Sequence, residues 1–373
     1  MPYFDHNATH PVSAAARNAW LDAVEKYPAN PSSLHRLGSR ASAALDAARE
    51  QLAGWLGGSA ADYVFTSGAT ESNNAILQHL AATLSPTESV WISSMEHPCV
   101  LAAARRHLDG RHHLIPATPE GVVDAGWIQD RLRGPHARPA VIAVMAANNE
   151  TGILQPWQQI RDWCHESGIL FFCDAAQWVG KMPAAGLGEC DFVSGCAHKF
   201  GGPPGVGFLK VPAGFTPSIV GGSQENGRRA GTENTPGILA MIAALGEREA
   251  SLDSIPERMK LRGRFIERLL EQVPSTEIPG RSSAALWNTV AAQLPAFEDC
   301  RQRWVVKLDR LGFSVSSGSA CSSGKEQASH VMAAMGYSRD ASDRTVRFSA
   351  GWDTTPQDWD ALLEAIRQLA SSR

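Results

Sequence analysis

Seven short stretches carry side chains that could do chemistry. In SSGSACSSG (316–324), Cys321 sits among five serines, two glycines and an alanine. A structural cysteine would have apolar neighbours and a disulfide cysteine a partner, so this thiol reads as one placed to be reached, or to reach. TSGATESNN (66–74) follows an apolar run and opens a helical one. Its small residues let backbone approach a ligand, Ser67 and Thr70 add hydroxyls, and the free N–H groups of a new helix favour an anion. An ordinary helix cap with Glu71 in its first turn has the same pattern. EHPCV (96–100) holds His97, a structural residue unless an aromatic ring lies beside it to be stacked on and to exchange protons. AANNETG (146–152) offers two amides, either for an Asx-type turn before Gly152 or to orient a ligand oxygen.

FFCDAAQ (171–177) ends a very apolar run with Asp174. A carboxylate there costs several kcal/mol unless it is paired, and both a protonated ring nitrogen and a helix cap would account for it. GCAHKFGGPPGVG (195–207) presents Lys199 before a Gly/Pro turn, as a surface lysine or as an amine that condenses with an aldehyde. GGSQENGRRAGTEN (221–234) is polar and Gly-rich, with Arg228, Arg229 and Thr232 available to an anion of this subunit or a neighbouring one. No single stretch decides the matter. Their order does: anion loop, histidine, asparagine, aspartate at a strand end, lysine. A pyridoxal phosphate enzyme needs these parts, with lysine for the aldehyde, aspartate for the ring nitrogen and a helix N-terminus for the phosphate.

The elements between these stretches predict how they are positioned. Strand candidates lie at 63–66, 89–93, 112–116, 140–146, 168–174, 191–195 and 205–211, separated by amphipathic or Ala-rich helical segments. Runs such as VIAVMA and ILFF are apolar on both faces, which marks strands covered by helices on both sides and so a largely parallel α/β sheet. In such a sheet, ligands bind where strands end and loops lead into helices. A long helical pattern at 235–275, with Pro256 near its middle, precedes a smaller α+β unit: a strand near 288–294, a helix 299–311, the Cys321 loop, a helix 326–335, the strand RTVRFS and a helix 356–371. The chain therefore reads as a large domain over 16–257 and a small one made of 1–15 and 258–373.

Composition narrows the class. The 373 residues are 43% hydrophobic and carry a net charge of −4, which gives no reason to expect a nucleic-acid surface or a polybasic membrane patch. There is no secretory pattern, and no apolar stretch nears the ~20 residues of a membrane helix, so a cytoplasmic protein is expected. Seven cysteines without a CxxC pair suggest free thiols in a reducing compartment, with Cys164, Cys173 and Cys190 in the core and no metal site.

The chain resembles the cysteine desulfurases of the NifS/IscS kind, within the class V aminotransferases of fold-type I. The likeness runs nearly end to end, through DHNAT, NPSSLHRLG, FTSGATESNN, EHPCV, NNETGILQP, DAAQWVGK, HKFGGPPGVG, GSQENGRRAGTEN, SSGSACSSG and RTVRFSAG. It implies a fold-type I α/β fold with a mostly parallel seven-stranded sheet, and pyridoxal 5′-phosphate as cofactor. It implies that Lys199 holds the cofactor aldehyde and moves protons, and that Asp174 pairs with the ring nitrogen. Gln177 and Asn149 would contact the ring hydroxyl, while His97 would stack on the ring. Ala69, Thr70, His198 and position 196 would hold the phosphate, with Thr232 reaching that of the other subunit in a homodimer. Arg347 would clamp the substrate carboxylate, with Asn149 and Asn7 near the substrate. Cys321 would attack the sulfur of L-cysteine, carry it as a persulfide and pass it to an acceptor or scaffold protein for iron–sulfur cluster assembly or another thiolation.

Three departures from the family pattern stand out. Cys196 occupies a place usually held by serine, and a thiol is the weaker donor. Pro204 replaces the lysine of GPKG, and His6 and His10 replace Asn and Thr. A lyase acting without the cysteine, such as a selenocysteine lyase, is disfavoured by Cys321. A scaffold that has lost catalysis need not keep Lys199, Asp174, His97 and Cys321 together. The purified protein should be yellow, with a band that borohydride bleaches. A colourless protein that takes up no pyridoxal phosphate would remove the cofactor assignment.

Overall fold

The computed structural model of the chain describes residues 2–135, 137–297, 303–317 and 328–371. Cys321 and most of its Ser/Gly stretch lie outside them. Nine strands occur among the described residues: β1 (Tyr63–Thr66), β2 (Val90–Ser93), β3 (His112–Ile115), β4 (Val141–Ala143), β5 (Leu170–Asp174), β6 (Phe192–Cys196), β7 (Gly207–Lys210), β8 (Thr289–Gln293) and β9 (Thr345–Ser349). The first seven form one sheet in the order β1-β7-β6-β5-β4-β2-β3, in which only β7 runs against its neighbours. Six strands thus share a direction, and their carboxyl ends line one edge of the sheet.

Alternation along each strand builds two apolar layers. Tyr63, Phe65, Phe171, Cys173 and Val193 face one layer, closed by helices 36–56, 125–133, 157–167 and 235–249. Val64, Phe172, Phe192 and Leu209 face the other, closed by helices 69–83 and 98–107. Successive side chains of a strand point to opposite faces, so a strand covered on both sides is apolar throughout. Cys164, Cys173 and Cys190 are fully buried, as expected. A third cluster surrounds the antiparallel pair β8-β9, with Phe4, Phe265, Leu269, Trp304, Trp359 and Ile366. No helix among the described residues is long and apolar enough to cross a membrane.

Two expectations need adjusting. The 235–275 pattern is two helices, Thr235–Glu249 and Ile255–Gln272. Pro256 opens the second, in the first turn where its missing N–H has no intrahelical partner to lose. The expected helices at 299–311 and 326–335 appear as Arg303–Arg310 and His330–Ala334; residues 298–302 and 318–327 lie outside the described set.

The N-terminal strap joins the two cores. Phe4 exchanges backbone hydrogen bonds with Ser314 and Ser349 beside the small sheet. Farther along, the N–H groups of His10 and Ser13 donate to the carbonyls of His198 and Gly201, on either side of Lys199 in the large one. The floor beneath this junction depends on Gly207, which pairs with Thr66 on one side and Cys196 on the other. A Cβ there would stand 2.5 Å from Gly68 Cα and 2.6 Å from the Gly195 carbonyl oxygen. Gly207→Ala should therefore cost about 1–3 kcal/mol by overpacking and lower the thermal unfolding midpoint. Gly54→Ala, in helix 36–56 with open space around it, should hold or raise the midpoint. An unchanged midpoint for Gly207→Ala would contradict the close packing.

Candidate active site

The sheet edge gathers most of the residues that the sequence singled out. Asp174 is the last residue of β5 and is buried. One carboxylate oxygen accepts from Asn73 Nδ2 at 2.8 Å, the other from the Ala176 N–H at 2.9 Å. The capping reading of this residue is observed. It caps the following turn, yet no lysine or arginine forms an ion pair with it among the described residues. Four residues beyond β2, His97 caps helix 98–107, its Nδ1 accepting from the Cys99 N–H. Burial holds the His97 ring below its usual pKa, opposed by Asp174 and aided by Lys199 and His330. Burial pushes the Cys99 thiol up to about 12, and it drives the Glu96 carboxyl well above its normal range with the Asp174 charge adding to the effect. The Met145 N–H, donating to Glu96 Oε1, opposes that shift.

The two amides of AANNETG are used differently. Asn148 Oδ1 accepts from the N–H groups of Glu150 and Thr151 and from the Thr151 hydroxyl, and so builds the turn. Asn149 is left over, and its Oδ1 is buried without a hydrogen-bond partner. At the anion loop, helix 69–83 begins after Gly68 with no side-chain cap. The Ala69 N–H points at the sulfur of Cys196, whose thiol burial pushes to about 11. Arg229 binds Glu71 through Nε at 2.9 Å, and Glu71 also accepts the Ser67 N–H. That pair docks the 221–234 loop beside the anion loop and leaves Thr232 exposed.

Lys199 lies three residues past β6, in a short 3₁₀ turn. Its Nζ donates to the backbone carbonyls of Asn7 (2.5 Å) and Ala8 (2.9 Å). Asn7 is almost wholly buried. Its Nδ2 donates to Thr289 Oγ1, and its Oδ1 accepts from Lys181 Nζ and Asn288 Nδ2. The Gln177 amide nitrogen also donates to the Asn7 carbonyl, at 3.0 Å. His198, next to Lys199, approaches the Thr9 hydroxyl at 3.3 Å.

Arg347 comes from β9 and is buried. Its guanidinium donates to the Asn149 carbonyl at 2.8 Å and to Asp5 Oδ1 at 2.7 Å. Its backbone exchanges two hydrogen bonds with Ser316, the first residue of the Cys321 stretch. Beyond that stretch, the Ser329 hydroxyl donates to Glu150, and His330 Nε2 meets the Glu96 carbonyl at 2.9 Å. The Cys321 segment is thus tied at both ends to walls of the site, although Cys321 itself is outside the described residues. His6 and His10 pack edge to face behind the strap, their ring centroids 4.7 Å apart.

Sequence reading missed Asp5, Asn73, Glu96, Lys181, Asn288 and Thr289. Asp5 and Lys181 stand inside quoted motifs, DHNAT and DAAQWVGK, and a lysine in so apolar a run was itself a signal. The donors and acceptors left open suit a ligand with an anionic end, a basic ring nitrogen and a polar ring substituent. They are the uncapped helix start, the Asp174 carboxylate without a cation and the partnerless Asn149 Oδ1.

Comparison with known proteins bears on the family and the fold. Residues 2–362 match the family described as aminotransferase class V. A cysteine desulfurase of Klebsiella pneumoniae is 38% identical over 372 residues, 98% of this chain and 91% of that one. A NifS-like protein of known structure aligns over the whole of both chains with a TM-score of 0.89 at 30% identity. The structure of SspA in complex with cysteine aligns over 94% of this chain and 99% of that one, with a TM-score of 0.80 at 29% identity.

Burial lowers the pKa of both His6 and His198 to about 4, aided by His10 for the first and by Lys199 and Lys181 for the second. The folded chain keeps these rings neutral, whereas the unfolded chain protonates them near pH 6.5. Their contribution to stability is complete above that pH and drains away as pH falls toward about 4. In the cofactor-free protein, the His6 and His198 ring resonances should show no titration step between pH 7.5 and 5.5. A midpoint near 6.5 for either would contradict the burial described.

Proposed function

The chain belongs to the aminotransferase class V family as one of its NifS-like cysteine desulfurases, and on that footing we propose that it moves sulfur from L-cysteine onto Cys321. One observation carries the site assignment. Lys199, Asp174 and His97 stand at the ends of parallel strands of one sheet, while Arg347 is delivered to them from the other core through Asn149 and Asp5. We take 16–257 as the cofactor-holding unit and 1–15 with 258–373 as its partner.

Pyridoxal phosphate, when bound, supplies an electron sink that labilises bonds at the substrate's α-carbon and loosens the bond between its β-carbon and sulfur. The chain's residues do the rest. Asp174, oriented by Asn73 and Ala176, would pair with the ring nitrogen. Ala69, Thr70, His198 and Cys196 hold the phosphate at the uncapped helix start, where N–H groups and the helix dipole favour an anion. Thr232, exposed on its docked loop, serves the same group in a second copy, which makes the working unit a homodimer. Asn149 and Gln177 address the ring hydroxyl.

Arg347 receives the substrate carboxylate. Its guanidinium is pre-oriented by the Asn149 carbonyl and Asp5, so the fork is held in place before the substrate arrives. Asn7 fixes the neighbouring wall. Lys199 takes and returns the proton at the α-carbon, and the Asn7 and Ala8 carbonyls hold its amine while it waits. His97, whose ring burial holds below its usual pKa, would stack on the cofactor ring and assist proton transfer. The Cys321 thiolate attacks the substrate sulfur. The bond from sulfur to the β-carbon breaks, a sulfur–sulfur bond forms on Cys321, and the β-carbon gains a proton to leave as L-alanine. An acceptor or scaffold protein then takes the outer sulfur, for iron–sulfur cluster assembly or another thiolation.

Cys321→Ala should keep the cofactor absorbance and lose sulfide release from L-cysteine in the presence of dithiothreitol by a factor of 100 or more, roughly the scale of a removed nucleophile. Sulfide release at the wild-type rate would refute transfer through Cys321.

A further inference from the structure

Lys181 is a buried lysine that the reaction as described does not use. It follows the Asp174 turn, and its side chain is 97% shielded from solvent. No carboxylate pairs with it among the described residues. Its Nζ donates to two amide oxygens instead, Asn7 Oδ1 at 2.8 Å and Gln177 Oε1. A neutral amine has two N–H donors, and two acceptors are present; an ammonium would leave a third donor unmet in a dry site. Burial also holds the amine well below the usual lysine range, with Lys199 and Arg347 adding to that and Cys196 opposing it. His6, His10 and His198 are the other titratable groups that sense its charge.

These two bonds determine how both amides are turned. With Oε1 against the Lys181 donor, Gln177 must present Nε2 on its other side, where it donates to the Asn7 carbonyl that also receives Lys199. Turning the amide over would set NH₂ against an N–H donor and oxygen against oxygen, losing both hydrogen bonds in a buried place. Asn7 is locked in the same way. Its Oδ1 is taken by Lys181 and Asn288, so its Nδ2 faces Thr289 and the Asn149 carbonyl.

We propose that Lys181 is a positioning residue: it stands behind Gln177 and Asn7 and makes Gln177 a hydrogen-bond donor, never an acceptor, toward the oxygen on the cofactor ring. This rests on the pyridoxal phosphate reading given above. A donor at that oxygen favours its anionic form and so lowers the pH at which the bound cofactor changes colour.

The test compares wild type, Lys181→Met, Gln177→Leu and the double variant, each as full chain loaded with pyridoxal phosphate, by titrating the visible band against pH. Each single substitution should move the transition up by roughly one pH unit, the scale of one lost hydrogen bond to an anion. The double variant should move no further than Gln177→Leu alone, because Lys181 acts through that amide. Lys181→Met titrating as wild type, or a double shift equal to the sum of the singles, would overturn the proposal. Should Lys181→Met not fold, Lys181→Gln retains one donor and should titrate close to wild type; a shift as large as that of Gln177→Leu would overturn it. A wild-type protein that binds no cofactor would instead retire the cofactor reading and leave this comparison without a band to follow.

Discussion

The site hangs on one buried asparagine. Asn7 belongs to the N-terminal strap, yet its side chain satisfies four groups from three other segments: Lys181, Asn288 with Thr289, and the Asn149 carbonyl. Its own carbonyl receives both Lys199 and Gln177. Unpaired polar groups are costly in a dry interior, so each partner constrains the others. The first few residues of the chain thereby hold Lys199 in the large core and the strand β8 of the small one. The strap is short and has little core of its own beyond Phe4, so it is this polar junction that places it.

Around the junction, charge is managed by burial more than by pairing. Glu96 and Glu150 are both pushed toward their neutral forms by desolvation, as are the rings of His97 and His198 and the amine of Lys181. The paired charges lie where they do positional work: Arg229 with Glu71 beside the anion loop, and Arg347 with Asp5 beside the strap. A site of mostly neutral groups exerts a weak field, so a bound anion and a bound carboxylate each meet a small number of specific donors.

Much of this was legible in the sequence because the chemistry sits where strands end. Apolar runs predicted the sheet, and the interruptions at Gly68, His97, Asn149, Asp174 and Lys199 marked its functional edge. What stayed hidden depends on contacts made across the chain. β7 was found as a strand, but its reversed direction is set by its neighbours β1 and β6, not by its composition. Asp5 meets Arg347 across 342 positions, and Lys181 meets Asn7 across 174; no local pattern reports such pairs. The residues alone did not separate the amides of Asn148 and Asn149, although the family resemblance named Asn149; the turn shows that Asn148 is the one spent on backbone. The break at 250–254 was legible in Pro256 once a proline is allowed to begin a helix as well as end one.

The ties on either side of the Cys321 segment set a limit on where sulfur can be delivered. Ser316 is hydrogen-bonded to the backbone of Arg347 itself, and Cys321 is five residues farther on. At about 3.3–3.6 Å per residue, Cys321 stays within roughly 18 Å of the strand that carries Arg347, whatever path the intervening chain takes. If sulfur leaves through Cys321 as proposed, its recipient has to come inside a small sphere around that strand. Specificity for the acceptor becomes a matter of which surfaces can enter that sphere, and lengthening the segment by a few residues would widen the range of recipients without touching the chemistry.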